Sequence, residues 1–368
     1  MSNRCIVTRV VSGQDDWTQL AAAWNELVHQ TSGATAFQSH QFLTHWWRHL
    51  ATDKSLFAIL AERDDEILGI APFQITRRKF AGLTLRSLEF MGMPDELDRP
   101  LLLVPDDDLE TIRALLDTTL EHASRWDMIR LDELAVGSWQ LDALKAWADE
   151  NRLSARSSPL HPVPYLIKHG DWDWYVEQRS HRFARRLREA ERKITKDHEV
   201  SYRWSHGGAD LDELLADFYA IEYNSWKAYE GLDVGVESEY RSFYRELLSQ
   251  DTDSLRGHVL IQYLDSKPSA ATIAFSADGV YYSLQIAHDE AFNKYSPGTL
   301  LETEEMRWFF SQDKLHRYEF LGGYGGNKKR WTKQVVDTVS VSMRREGDVR
   351  GFAASILDRR GFFSRASS

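Results

Sequence analysis

Between Ser154 and Pro164 the hydrophobic periodicity of this chain stops. Ser157, Ser158, Pro159, Pro162 and Pro164 interrupt any helical or strand pattern there. On either side, the order of expected elements repeats. Before the break, residues 14–30 place Trp17, Leu20, Trp24 and Leu27 at helical spacing, and a short helix spans 41–50. A hairpin (56–62 and 67–74) turns at Asp64-Asp65, and an apolar strand follows at 85–91. An amphipathic helix at 109–123 begins after Pro105 and three aspartates, then come a strand at 128–131 and a helix at 138–150. After the break come a basic helix (179–197), a strand (200–204), helices at 211–229 and 240–249, and three strands at 257–264, 269–276 and 280–287. A helix at 299–310, a strand at 317–321 and a last strand at 340–344 complete the reading. Helices, then an antiparallel meander, then a helix and a closing strand is an α+β plan, made twice. The expected domains are 1–160 and 161–368, each a mixed, mostly antiparallel sheet flanked by helices. A chain of 368 residues is too long for one ordinary core.

Charge and cysteine content narrow the chemistry. Cys5 is the only cysteine, so neither an intrachain disulfide nor a cysteine-based zinc site can form. No metal is expected. The first eleven residues lack an apolar signal core, and no run of 18 apolar residues occurs, so a cytoplasmic protein is expected, at most peripheral at the inner membrane. A net charge of −11 argues against nucleic acid as a partner. Against that balance, Arg179, Arg182, Arg185, Arg186, Arg188, Arg192, Lys193 and Lys196 crowd into one helix. Phe183, Leu187 and Ile194 form its apolar stripe. The surplus suggests an anionic partner: the 3′-phosphate of coenzyme A, a sugar nucleotide, an acidic acyl carrier protein or an anionic membrane surface.

Tyr295-Ser296-Pro297-Gly298-Thr299 lies between a strand and a helix. There Ser296 would cap, Pro297 would fill the first helical position and Gly298 would let an anion approach the backbone. The run Asn293 to Leu301, with Tyr318-Glu319-Phe320-Leu321-Gly322-Gly323 and Lys328-Lys329-Arg330-Trp331, resembles the GNAT-like acyltransferases associated with bacterial cellulose and exopolysaccharide biosynthesis, themselves similar to Fem-type aminoacyl transferases. Weaker echoes are Phe37-Gln38-Ser39, Trp46-Trp47 and Leu68 to Pro72.

The resemblance implies two tandem GNAT-like domains, the first degenerate and the second carrying the donor site. The donor would be an acyl-CoA, or an acyl carrier protein thioester, with its diphosphate on 295–299. Leu284, Gln285 and Ile286 would line the thioester slot, and Lys328 would contact phosphate or substrate. The expected base is His288, with Asp289 or Glu222 orienting it or substituting for it. Glu319 is expected to pair with Lys328 or Arg330 inside an apolar strand. The activity implied is transfer of an acyl group to an amine of an envelope precursor, either an amino sugar or a sphingoid-type base giving a ceramide-like amide. The alternatives are an aminoacyl-tRNA-dependent transferase and an inactive scaffold. Tyr324 and Asn327 depart from the family's acidic residue and tyrosine, and that glycine-rich segment supports the last.

Overall fold

The computed structural model describes residues 5–11, 13–93, 97–230, 234–359 and 362. The chain divides into two compact units, one drawn from Met1–His161 with Asp337–Ala366, the other from Pro162–Val336. The first expected boundary therefore falls within two residues of the observed one. The tail does not follow the expectation: from Asp337 on it returns to the first unit.

The first unit opens with strand β1 (Val7–Val11) and helices α1 (Gln14–Gln19), α2 (Ala21–Gln30) and α3 (His40–Leu50). Then come β2 (Lys54–Leu56), β3 (Ala58–Arg63), β4 (Glu66–Ala71), β5 (Phe73–Phe80) and β6 (Leu83–Phe90). Helix α4 (Leu109–Glu121), strand β7 (Met128–Ala135), helix α5 (Trp139–Glu150) and strand β8 (Leu153–Pro159) follow. The second unit comprises β9 (Val163–Ile167), α6 (Trp172–Glu177), α7 (His181–Asp197), β10 (Val200–Ser205), α8 (Leu211–Tyr223), α9 (Trp226–Glu230) and α10 (Ser238–Leu248). It continues through β11 (Asp251–Thr252), β12 (Leu255–Leu264), β13 (Lys267–Ala277), β14 (Val280–His288), α11 (Pro297–Ser311), β15 (Arg317–Glu319), α12 (Lys328–Trp331) and β16 (Gln334–Val336). The tail gives β17 (Thr338–Arg345) and α13 (Val349–Asp358).

In the first unit, β1-β3-β4 make a small sheet and β2-β5-β6-β7-β17-β8 a larger one. Strand β17 lies antiparallel between β7 and β8, with Val341 opposite Leu131 on one side and Ser157 on the other. The serine- and proline-rich break is thus partly strand. Residues 155–157 of β8 are exposed at the sheet edge, where polar side chains and Pro159 are tolerated. The second unit has one sheet ordered β10-β12-β13-β14-β15-β9-β16. Its core includes Tyr281, Phe309, Tyr318 and Trp331, all nearly inaccessible to solvent. In each unit one strand pair is parallel and enclosed by a helical crossover: β6/β7 around α4, and β14/β15 around α11.

The expected single helix at 211–229 breaks in two. Ser225 Oγ donates to the Glu222 carbonyl at 2.7 Å and accepts from the Lys227 N–H, a local turn that competes with helix continuation.

Candidate functional site

Helix α11 starts without a side-chain cap. Ser296, expected to cap, sits instead in the left-handed region at φ 56°, ψ 52°, and its carbonyl receives the Thr299 N–H at 3.0 Å. In that conformation its hydroxyl makes no capping bond and the side chain is exposed. Pro297 occupies the first helical position as expected, and no acidic residue lies in the first turn. Gly298 is buried, and a Cβ there would meet His288 Nδ1 at 3.5 Å. Its place is therefore beside the histidine, rather than a bare stretch of backbone facing the cavity.

Beside this helix start lies a cavity of about 680 Å³. The basic helix and the residues before it supply Arg179, Arg182, Arg186 and Lys193; the bends at 294 and 329–333 supply Lys294, Lys329, Arg330 and Lys333. Among the described residues Glu189 is the one carboxylate on the wall, and Phe183, Leu187 and Ala190 make its apolar part. Eight cations around a helix N-terminus form a strong anion trap, because the helix dipole adds to the side-chain charge. The three segments are tied together. Lys193 donates to the Lys294 carbonyl, and Arg330 donates to Thr299 Oγ1 at 2.6 Å. The Tyr295 hydroxyl donates to Asp197 at 2.9 Å. Ser180 caps the basic helix by accepting from the Phe183 N–H.

Of the residues expected on the donor side, Tyr295, Ser296 and Thr299 line this cavity, whereas Pro297 and Gly298 pack beneath it. Lys328 does not line it. Its ammonium donates to the Leu321 carbonyl, close to Gly322, which has φ 53°. The neighbouring Lys329 and Arg330 take the place assigned to it.

Leu284, Gln285 and Ile286, expected to line a thioester slot, lie on β14. Strand β14 pairs with β15 only over Val280–Tyr282, so Ser283–His288 have no strand neighbour on that side among the described residues. A bulge falls there, since Ile273 faces Gln285 while Ala274 faces Ser283, leaving Leu284 extra. At the strand's end, His288 Nε2 lies 2.7 Å from Asn293 Oδ1. Asp289 caps the following turn through the Ala291 N–H at 2.8 Å, so Asn293, not Asp289, orients the imidazole.

Glu222 is fully buried on the opposite side of the sheet from α11. It accepts from the Gly235 N–H at 2.9 Å and lies 3.5 Å from Lys227 Nζ, which donates to Gln285 Oε1 at 2.6 Å. Burial raises its pKa, and Lys227 opposes that rise. The chain Glu222–Lys227–Gln285 thus reaches β14 from behind. Glu319 is buried as expected and is ion-paired with Arg317 at 2.6 Å, two residues along the same strand.

Glu305 was not among the expected residues. It lies on the buried face of α11 and accepts from Tyr281 at 2.8 Å and Thr272 at 3.3 Å; burial lifts its pKa to about 7. Its sequence signal is faint but present: Leu301, Glu305 and Phe309 share one helical stripe, so a carboxylate falls where an apolar residue belongs. Among the described residues, no cluster of three or more potential metal ligands occurs, and no helix is long and apolar enough to cross a membrane.

This is a two-unit, tandem GNAT fold of mixed sheets flanked by helices, and it is acyltransferase-like. Residues 181–355 match the family described as acetyltransferase (GNAT) domain, a span that contains α7, β14, α11 and α12. No curated protein sequence matches the chain. Solved structures resemble it over nearly its whole length. FemX does so with 14% identity and a TM-score of 0.60, covering 96% of this chain and 100% of its own. A tandem GNAT protein from the clavulanic acid biosynthesis pathway does so with 11% identity and a TM-score of 0.54, covering 93% and 99%. The C-terminal domain of a putative lysylphosphatidylglycerol synthetase from Agrobacterium fabrum gives 11% and 0.54, covering 95% and 98%. At such identities the likeness is one of fold.

Proposed function

We propose that the second unit is an N-acyltransferase that takes its acyl group from a thioester of coenzyme A. The observation that carries this reading is the junction of an eight-cation cavity with the start of α11, next to the strand end that bears His288. A diphosphate suits that cavity, and the apolar wall of Phe183 and Leu187 suits a pantetheine arm or acyl chain. The unpaired stretch of β14 offers backbone N–H groups where negative charge builds on a carbonyl oxygen. His288, held by Asn293, receives the proton of the attacking amine, and Glu222 with Lys227 is the alternate proton path from the other face.

The acceptor in this reading is an amine of an envelope precursor, either an amino sugar or a long-chain base. Exposed Tyr223 and Trp226, just past Glu222, support an amphiphilic acceptor. The cation count also suits a phosphodiester-rich donor, which keeps an aminoacyl-tRNA as the second reading.

Thermal-shift titration with free coenzyme A, acetyl-CoA, palmitoyl-CoA and aminoacyl-tRNA separates the readings. Stabilisation by the CoA compounds is expected, and its absence with all three removes the proposal. Replacing His288 with Ala should leave that stabilisation intact while lowering single-turnover amide formation by about 10²–10⁴-fold. Full activity would transfer the role of base to Glu222.

A further inference from the structure

Helix α11 has a second cavity at its other end, of about 600 Å³. The helix is 15 residues long, so the two ends lie about 22 Å apart and the cavities are separate. Three side chains on the wall of the second cavity form a hydrogen-bonded row. Ser276 Oγ on β13 lies 2.8 Å from Nε2 of His258 on β12, and His258 Nδ1 lies 2.7 Å from Nδ1 of His206. Both rings are clamped. His258 is 2% exposed and packs against Trp308 with ring centroids 5.0 Å apart, and His206 lies against both Trp204 and Trp308 at 5.6 and 5.4 Å, the two indoles being 4.8 Å from each other.

Proton placement follows from the contact between the two Nδ1 atoms: one carries hydrogen and the other a lone pair. When His258 is the donor, its Nε2 is bare and accepts the Ser276 hydroxyl. The row then reads nucleophile, base, orienting group, which are the three roles of an activated serine. Arg256, ion-paired with Asp251 at 2.7 Å, stands directly across from Ser276 in the strand register.

We propose that Ser276, His258 and His206 form a second reactive site, one that acylates Ser276 from small carboxylic esters. The rest of the wall sets the substrate's charge. Asp251, Asp253, Asp278 and Asp313 outnumber Arg256 and Lys314, and the C-terminal end of α11 adds partial negative charge. Neutral or cationic esters fit, and the polyanionic donors suited to the first cavity do not. In the reaction, Ser276 Oγ bonds to the carbonyl carbon and its proton passes to His258 Nε2, while the His206 lone pair supports the imidazolium. The alcohol leaves with that proton. Water then attacks the acyl-serine by the same route, releasing the acid and restoring the hydroxyl.

The site is independent of the coenzyme A reading and is tested apart from it. The full chain is treated with a fluorophosphonate probe and digested, and the adduct is located by mass spectrometry. An adduct on Ser276 that disappears on prior heat denaturation and falls at least tenfold in His258→Gln is the expected result. No adduct, an adduct elsewhere, or one equally formed by denatured protein overturns the proposal. Mapping the unaltered protein keeps the test valid even where a variant misfolds. As a second measurement, p-nitrophenyl acetate should acylate Ser276 faster than the monoanionic p-nitrophenyl hemisuccinate; the reverse order would refute the charge argument.

Discussion

Helices α4 and α11 occupy the same place in their respective units, each bridging two parallel neighbouring strands, yet the charge surrounding their starts is opposite in sign. Helix α11 starts at a left-handed serine, has no acid in its first turn and is ringed by lysines and arginines. Helix α4 starts at Asp108, which accepts the Thr111 N–H at 3.0 Å, with Glu110 behind it and Asp106 and Asp107 just before. In α4 the protein's own carboxylates satisfy the helix end. In α11 no carboxylate caps the helix start: backbone carbonyls take the Ser296 and Thr299 N–H groups, and the surrounding charge is positive. A repeated architecture thus supplies one self-capped helix start and one receptive to an anion, and a handful of charges makes the difference.

The largest test of this contrast is a charge reversal at each helix start. Arg330→Glu should weaken coenzyme A binding roughly 100-fold, about 3 kcal/mol, by calorimetry. Glu110→Lys should leave it unchanged. Equal losses from both variants would break the comparison.

A smaller effect concerns the glutamate that burial raises to about 7 in each unit, Glu89 on β6 and Glu305 on α11. Between pH 4.5, the ordinary value, and pH 7, the folded state holds a proton that the unfolded state releases. Each residue therefore adds stability as pH falls through that window and subtracts it above pH 7. Glu305→Gln should accordingly stabilise the protein by roughly 2 kcal/mol at pH 8.5, and the gain should vanish near pH 4.5. Denaturant melts at the two pH values would show it; a gain independent of pH would assign the effect to packing.

The smallest effect separates the caps themselves. Asp108→Ala should cost about 1 kcal/mol, because a capping bond is lost. Ser296→Ala should change stability by less than about 0.5 kcal/mol, because its hydroxyl caps nothing. A matching loss at Ser296 would contradict the left-handed start of α11.

Local patterns in the chain announce most of this arrangement. The stripe of Phe183, Leu187 and Ile194 on the basic helix, the amphipathic run at 109–121 and the Pro297 helix start all rest on contacts within a few residues. What they do not announce depends on distant partners. Strand β17 joins β7 and β8, nearly two hundred residues earlier, and nothing within 338–345 names those neighbours. The turn around α12 decides which of three successive basic residues faces the cavity, so Lys328 turns inward while Lys329 and Arg330 turn out. Glu222 looks like a surface helix residue until Lys227 and the amide of Gly235 enclose it. The Ser276–His258–His206 row joins three separate strands or loops and has no local signature at all.

The return of the tail has a consequence on the ribosome. Strand β17 separates β7 from β8 in the first unit's larger sheet, and the whole second unit is translated between β8 and β17. The early-made sheet must wait, missing an inner strand, for ten seconds or more at roughly 5–20 residues per second. Meanwhile the later-made half has every strand it needs and can fold first. The half of the chain synthesised second is thus the one able to mature first, and the first-made half is the one exposed to chaperones and proteases in the interval.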